Sequence, residues 1–254
     1  MSFNKEHFIS EYLKRIGYHG DTTPCLEALC ALQVQHIHHI PFENLDLLTD
    51  AFTPNLDQEY LFDKIVTRRR GGVCYELNTS FYNLLCALGF DAHQISGAVQ
   101  PGEDMYSHVA TLVHLPEGDF IADVGFGDSY LPVLNVAPEA LTVCDGLEYR
   151  MNYSDRNTGD IQRRHPGQDW ARMYTMCLTP RRREEYFGRF RWASAMGNTV
   201  FSQYPICVSH GPVRRVTLRK GALSVEESGQ IIEQRPVAPG AETELVLRNY
   251  FDLP

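Results

Sequence analysis

Apolar residues over the first 90 positions recur at helical spacing. Phe8, Ile9, Tyr12, Leu13 and Ile16 make one stripe, ended by Gly17. Thr23-Pro24 reads as an N-cap followed by proline at the first helical position, and Leu26, Leu29 and Leu32 continue from it until Pro41 interrupts. A third helix is predicted to start near Asp57, carry Leu61 and Ile65, and stop at Gly71-Gly72. A fourth carries Leu77, Phe81, Leu84, Leu85 and Leu88, with Gly89 as its C-cap. After Gly89 the period changes to two. His108 to Leu115 alternates as a strand, Phe120 to Val124 follows, and Pro116-Glu117-Gly118-Asp119 between them is a turn by composition. Further strand-like pieces run to about residue 200, then Val213 to Leu218, and Thr243 to Phe251 fits either a strand or a short helix. Helices first and strands later predict an α+β fold rather than an alternating parallel sheet.

Composition narrows the function classes. With 254 residues, 43% hydrophobic and 22% charged, the chain buries a sizeable core and is neither disordered nor collagen-like. No apolar run is long enough to cross a bilayer, and the N-terminal residues resemble neither a secretory signal nor a transit peptide, so a cytoplasmic protein is expected, with no membrane partner. Seven dispersed cysteines without a Cys-x-x-Cys pair argue for reduced thiols, and against a zinc ribbon or a thioredoxin-type site. His36, His38 and His39 have no cysteine or acid at ligand spacing, so no metal is expected. A net charge of −9 argues against nucleic-acid binding. Yet residues 161–220 hold 12 of the 23 basic residues against Asp169, Glu184 and Glu185 alone. That window either meets a polyanion or pairs with acids elsewhere in the chain.

Cys74 carries the strongest chemical signal. It follows Arg70-Gly71-Gly72-Val73 and opens the fourth helix, where unsatisfied N–H groups and the macrodipole favour a thiolate. A buried cysteine after a glycine loop is the alternative reading. A thiolate nucleophile wants a base and a carboxylate to orient it. His108 opens a strand and Asp123 ends the next one. A hairpin about Glu117-Gly118 would pair Leu115 with Phe120 and Leu112 with Asp123. His108 and Asp123 then share a face but stand four residues apart, so a register shift, a bulge or coiling is needed to join them. Gly125-Phe126-Gly127 lacks the dinucleotide pattern and supports at most a turn that a ligand approaches.

Together these segments resemble the arylamine N-acetyltransferases. The likeness rests on Tyr12 to Tyr18, His39-Ile40-Pro41-Phe42-Glu43-Asn44-Leu45, Arg70-Gly71-Gly72-Val73-Cys74-Tyr75-Glu76-Leu77-Asn78 and Asp123-Val124-Gly125-Phe126-Gly127, in the family's order and spacing. The resemblance implies an N-terminal helical bundle (1–90) carrying the nucleophile, a central antiparallel β-barrel (91–200) carrying His and Asp, and a C-terminal α/β lid (201–254), around a cysteine-protease-like triad core. It implies a catalytic triad of Cys74, His108 and Asp123, with acetyl-coenzyme A as donor and arylamines, arylhydrazines or hydroxyarylamines as acceptors. Phe42, Phe126 and Phe201 would line the acceptor pocket, Gly127 and Ser129 would meet the coenzyme, and Arg70 would pair structurally with Glu43. A monomer or homodimer is expected. The chain departs from the family where Phe190 replaces an Asn, where Ala195 and Gly197 stand beside Ser194 for Thr and Pro, and where Asp128 follows the glycine motif. A cysteine hydrolase, an amide synthase using a carrier-bound acyl group, and a non-catalytic binder of aromatic ligands are the competing readings of the same residues.

Overall fold

The computed structural model describes residues 4–127, 131–195 and 197–253. Helix α1 (Lys5–Arg15) buries Phe8 and Tyr12, and Asn4 caps it by accepting a hydrogen bond from the His7 N–H. Helix α2 runs over Leu26–His39. Its N-cap is Cys25, whose sulfur accepts from the Ala28 N–H at 3.4 Å, so the expected cap at Thr23 is corrected by two residues. Thr23 instead donates its N–H and hydroxyl to Asp21, a local turn that competes with helix initiation. After the short strand β1 (Phe42–Glu43) comes α3 (Gln58–Leu61), which widens into a π-helical turn over Phe62–Thr67. The helix expected to reach Gly71 therefore ends early. Buried Arg15 fixes that end by donating to the carbonyls of Ile65 at 3.0 Å, His39 at 2.5 Å and Arg69 at 3.3 Å. One guanidinium thus satisfies the terminal carbonyls of two helical segments. Helix α4 (Cys74–Leu88) is buried along its first half and ends on left-handed Gly89, as its pattern predicts.

An eight-stranded antiparallel sheet follows. It comprises β2 (Asp91–Ala98), β3 (His108–Leu115), β4 (Gly118–Ala122), β5 (Leu134–Asn135), β6 (Thr142–Cys144), β7 (Leu147–Tyr153), β8 (Thr158–Arg164) and β9 (Ala171–Cys177), in the order β5-β4-β3-β2-β9-β8-β7-β6. Inward Ile95, Ala110, Leu112, Ile121, Tyr149, Met151, Ile161, Tyr174 and Met176 fill it, which gives a nearly closed barrel-like core. The β3–β4 hairpin departs from the sequence reading. Its turn is Pro116-Glu117, Leu115 pairs with Gly118, and Leu112 pairs with Ile121. Gly118 leaves the turn at φ +136°, a conformation open to glycine.

Residues expected as strand near 190 are helix α5 (Arg183–Ser194). Its buried face is only Tyr186, Phe190 and Ala193, and the two aromatic residues join the core of the helical region. The C-terminal unit is a second antiparallel sheet of β10 (Ile206–His210), β11 (Arg214–Arg219), β12 (Ala222–Glu227) and β13 (Gln230–Pro236), with β1 hydrogen-bonded to β10 at its edge. Helix α6 (Ala241–Phe251) packs Val246, Leu247 and Phe251 on it, which resolves the segment that fitted strand or helix. Because β1 precedes α4 in the chain yet belongs to this sheet, the segment carrying Phe42 and Glu43 ties the C-terminal unit to the helices.

Candidate active site

The start of α4 is built on buried charges. Lys64 lies 2.7 Å from Glu76 and 2.9 Å from Asp46, and Arg70 lies 2.8 Å from Glu43 and 2.9 Å from Asp46. Burial alone would lower the Lys64 pKa, but Glu76, Glu43 and Asp46 outweigh it and keep the ammonium charged. The second Glu76 oxygen accepts the Val73 N–H at 3.0 Å, holding the residue before Cys74. Gly71 is needed here because a Cβ would sit 2.0 Å from the Pro41 carbonyl oxygen. The turn into α4 is therefore pinned from three directions.

Cys74, His108 and Asp123 meet at this point. The observed hairpin register sets Asp123 across from Ala110 when continued by one pair beyond Thr111 and Ala122, two residues from His108 rather than four. That shift closes the gap. His108 Nε2 lies 2.7 Å from Asp123 Oδ2, and the Cys74 sulfur is near enough to help raise the pKa of the ring. With Nε2 committed to the carboxylate, Nδ1 is the ring nitrogen left for sulfur. His108 and Asp123 are each 1% exposed, whereas Cys74, at 8%, opens on a cleft.

Burial would lower the His108 pKa, but the Asp123 charge and hydrogen bond, with the thiol's contribution, push it up to about 10. Burial likewise opposes ionisation of Asp123. The charge and hydrogen bond of His108, with bonds from Asn78 and the Gly125 N–H, outweigh it and hold the carboxyl below its ordinary range. The result is an imidazolium beside a carboxylate at neutral pH, charged where the thiol meets it.

Residues that the sequence did not single out as functional complete the site. Tyr174 donates its hydroxyl to Asp123 Oδ2 at 2.8 Å, and its ring lies 5.0 Å from that of His108 and 4.7 Å from that of Phe126. Asn78 donates to Asp123 Oδ1 at 3.0 Å and to the Val109 carbonyl at 2.7 Å, and it accepts the Val124 N–H at 2.9 Å. Asn78 was legible in principle, standing four residues after Cys74 on the same helix face. Tyr174 carried only the alternation of β9. Gly125 also lies against the helix, since a Cβ there would stand 2.8 Å from the Cys74 Cα.

The cleft has a volume of about 430 Å³. Phe42, Phe126, Phe201 and Gly127 all line it, and the rings of Phe42 and Phe201 are 6.0 Å apart. A Cβ on Gly127 would come 2.8 Å from the Phe42 ring, so that glycine is required by the phenylalanine above it. Ser129 and Asp128 lie outside the described residues. Phe190, where the family carries an Asn, is buried and stacks on Tyr75 at 4.8 Å, giving the cleft an apolar wall. Trp192 and Arg189 stand beside it, the guanidinium 4.0 Å from the indole and 3.0 Å from Asp104.

His36 is buried against Tyr12 and Phe81, its Nε2 3.0 Å from the Tyr12 hydroxyl, and burial drives its pKa to about 3. Among the described residues no group of three or more His, Cys, Asp or Glu is arranged to hold a metal ion, and no helix is long and apolar enough to cross a membrane.

The chain has counterparts among known proteins. The N-acetyltransferase family model matches residues 25–254. The arylamine N-acetyltransferase of Escherichia coli (strain K12) is 32% identical over 253 residues, covering 96% of this chain and 88% of that protein. Among solved structures, the arylamine N-acetyltransferase from Salmonella typhimurium aligns with a TM-score of 0.88 at 29% identity, over 97% of this chain and 91% of that one. The arylamine N-acetyltransferase of Mycobacterium marinum in complex with CoA aligns with a TM-score of 0.86 at 26% identity, over 96% and 92% of the two chains.

Proposed function

The chain belongs to the arylamine N-acetyltransferase family of acyltransferases, and from that premise we propose that it carries an acetyl group from acetyl-coenzyme A to an aromatic amine, hydrazine or hydroxylamine through a thioester on Cys74. The observation that carries this reading is the His108–Asp123 pair held at 2.7 Å beside Cys74, with sulfur and imidazole both lining an aromatic cleft.

In the first half-reaction the Cys74 thiolate, paired with the His108 imidazolium, attacks the thioester carbonyl. The oxyanion that forms develops beside the first turn of α4, where the Cys74 N–H is suited to receive it. Coenzyme A leaves as its thiol, taking the proton from His108. In the second half-reaction the amine nitrogen attacks the acetyl carbonyl, and His108, now neutral, takes its proton. Collapse of that intermediate breaks the C–S bond, and the proton returns to the departing Cys74 sulfur. Asp123 stabilises the imidazolium at each stage, held by Tyr174, Asn78 and the Gly125 N–H.

Acceptor choice follows from the lining. Phe42, Phe126, Phe201 and Phe190 offer ring faces and edges to a flat aromatic amine, beside polar Gln100, Ser107 and Asn198 in the same lining. Gly127 is the residue of this lining proposed to meet the coenzyme, and Arg70 with Glu43 is a structural pair under the loop before Cys74.

Initial rates with acetyl-coenzyme A and aniline test the scheme. Release of coenzyme A thiol is expected to depend on the amine, with parallel double-reciprocal lines when both substrates are varied. Intersecting lines, or sustained thiol release at the same rate without amine, would favour direct transfer or hydrolysis instead.

A further inference from the structure

The connection from β4 to β5 begins at Asp123 and has Leu131 near its far end, ahead of β5 at Leu134, and between them it carries Phe126 and Gly127 to the cleft. Its two ends are joined by one side chain from a different unit of the molecule. Gln33, on α2 and 1% exposed, accepts the Asp123 N–H on Oε1 at 3.0 Å and donates Nε2 to the Leu131 carbonyl at 2.7 Å. The next two N–H groups are also held, that of Val124 by Asn78 and that of Gly125 by the Asp123 carboxylate. Three consecutive amides at the base of the loop are thereby fixed, and of these three bonds the one from Gln33 comes from α2.

We propose that Gln33 is a positioning residue for the acetyl-transfer site: by clamping both ends of this connection, it aims the Asp123 carboxylate at His108 and sets where Phe126 and Gly127 meet the cleft. This rests on the triad reading above. Gln33 touches none of the reacting atoms. The chemistry of its two partners explains the residue type. A backbone N–H needs an acceptor and a carbonyl needs a donor, and a primary amide offers both from one planar centre. An ionised carboxylate at the same place serves only the N–H, leaves the Leu131 carbonyl unpaired, and adds a charge beside Asp123. A thioether cannot donate and accepts only weakly.

The test uses Gln33→Met and Gln33→Glu, chosen for similar length. Two readings go with each melting curve: the rate of acetyl-enzyme formation, and the midpoint of the nitrogen-15 titration of the His108 ring. In Gln33→Met a displaced Asp123 stabilises the imidazolium less. The His108 midpoint is expected to fall by about one pH unit, and acetylation of Cys74 to slow by about tenfold to a hundredfold.

Gln33→Glu has its own signature. With its new carboxyl protonated it can still donate to Leu131, and once ionised it cannot. Its rate relative to wild type is therefore expected to fall as pH rises through the titration of that introduced carboxyl. Variants that melt earlier yet keep the wild-type midpoint and acetylation rate would overturn the proposal. They would leave Gln33 as packing alone. If Gln33→Met does not fold, a pH-independent ratio for Gln33→Glu overturns it equally. A wild-type protein that forms no acetyl-enzyme would remove the triad reading itself, and this inference with it.

Discussion

His108 is asked to be an acid in one half-reaction and a base in the other, and its surroundings change between the two. In the free protein Asp123 and the Cys74 thiol together overcome burial and raise its pKa to about 10, so it is protonated at neutral pH. Acetylation of Cys74 takes away the sulfur's contribution to the raised His108 pKa while Asp123 stays. The His108 pKa therefore moves down in the acetyl-enzyme, towards the range in which a base is useful. Discharge of isolated acetyl-enzyme by aniline is expected to accelerate with rising pH through that lowered midpoint and then level off, because only the neutral ring accepts the amine proton. Nitrogen-15 titrations of His108 in the two states should give a lower midpoint for the acetylated one. Identical midpoints would mean that the thiol does not govern the ring. At this scale the sequence was partly legible. Cys74 announced itself by its place after Gly71-Gly72 at a helix start, and His108 and Asp123 by a shared strand face. Tyr174 and Gln33 did not, because a buried tyrosine on a strand and a glutamine on an apolar helix look like ordinary core until their partners are known.

Elements fix these side chains, and the decisive one is the β3–β4 hairpin. Composition placed a four-residue turn at Pro116 to Asp119, whereas the chain turns in two residues and returns Asp119 to the strand, where it pairs with His114 at 2.6 Å. Turn length sets register, and register sets which residue faces His108, so a two-residue difference separates an open triad from a closed one. Helix α5 escaped notice for a related reason. Its buried residues are three, spread over a segment rich in Arg and Glu and interrupted by Gly188, which leaves little periodic signal. The start of α4 depends instead on charge. Lys64 is fully buried between Glu76 and Asp46. Lys64→Met is expected to destabilise the fold by about 3–5 kcal/mol in urea titrations, since it strands the buried Glu76 carboxylate. Lys64→Met combined with Glu76→Gln should recover part of that loss. A single variant as stable as wild type would show that the pair does not hold the loop before Cys74.

Three units meet at the cleft: helices deliver Cys74, the barrel delivers His108, Asp123 and Phe126, and the C-terminal sheet brings β1 and Phe42 through β10. Five of the twelve basic residues in the window at 161–220 are paired within this assembly with acids from other parts of the chain. Arg164, Arg172, Arg183, Arg189 and Arg214 pair with Glu148, Asp160, Asp57, Asp104 and Glu227, all from outside the window. Of the two readings that the sequence left open, pairing with acids elsewhere in the chain describes these five, while Arg189 and Arg219 also reach the cleft. Pairing across neighbouring strands, or from α5 to Asp57 and Asp104, is invisible to a charge count.

The account as a whole stands on one covalent event at one sulfur. Intact-protein mass spectrometry after mixing with acetyl-coenzyme A should show wild type heavier by one acetyl group, the increment vanishing when aniline is added, with no increment in Cys74→Ala. An unmodified wild-type protein that still acetylates aniline, or an increment that persists in Cys74→Ala and turns over with aniline, would contradict it.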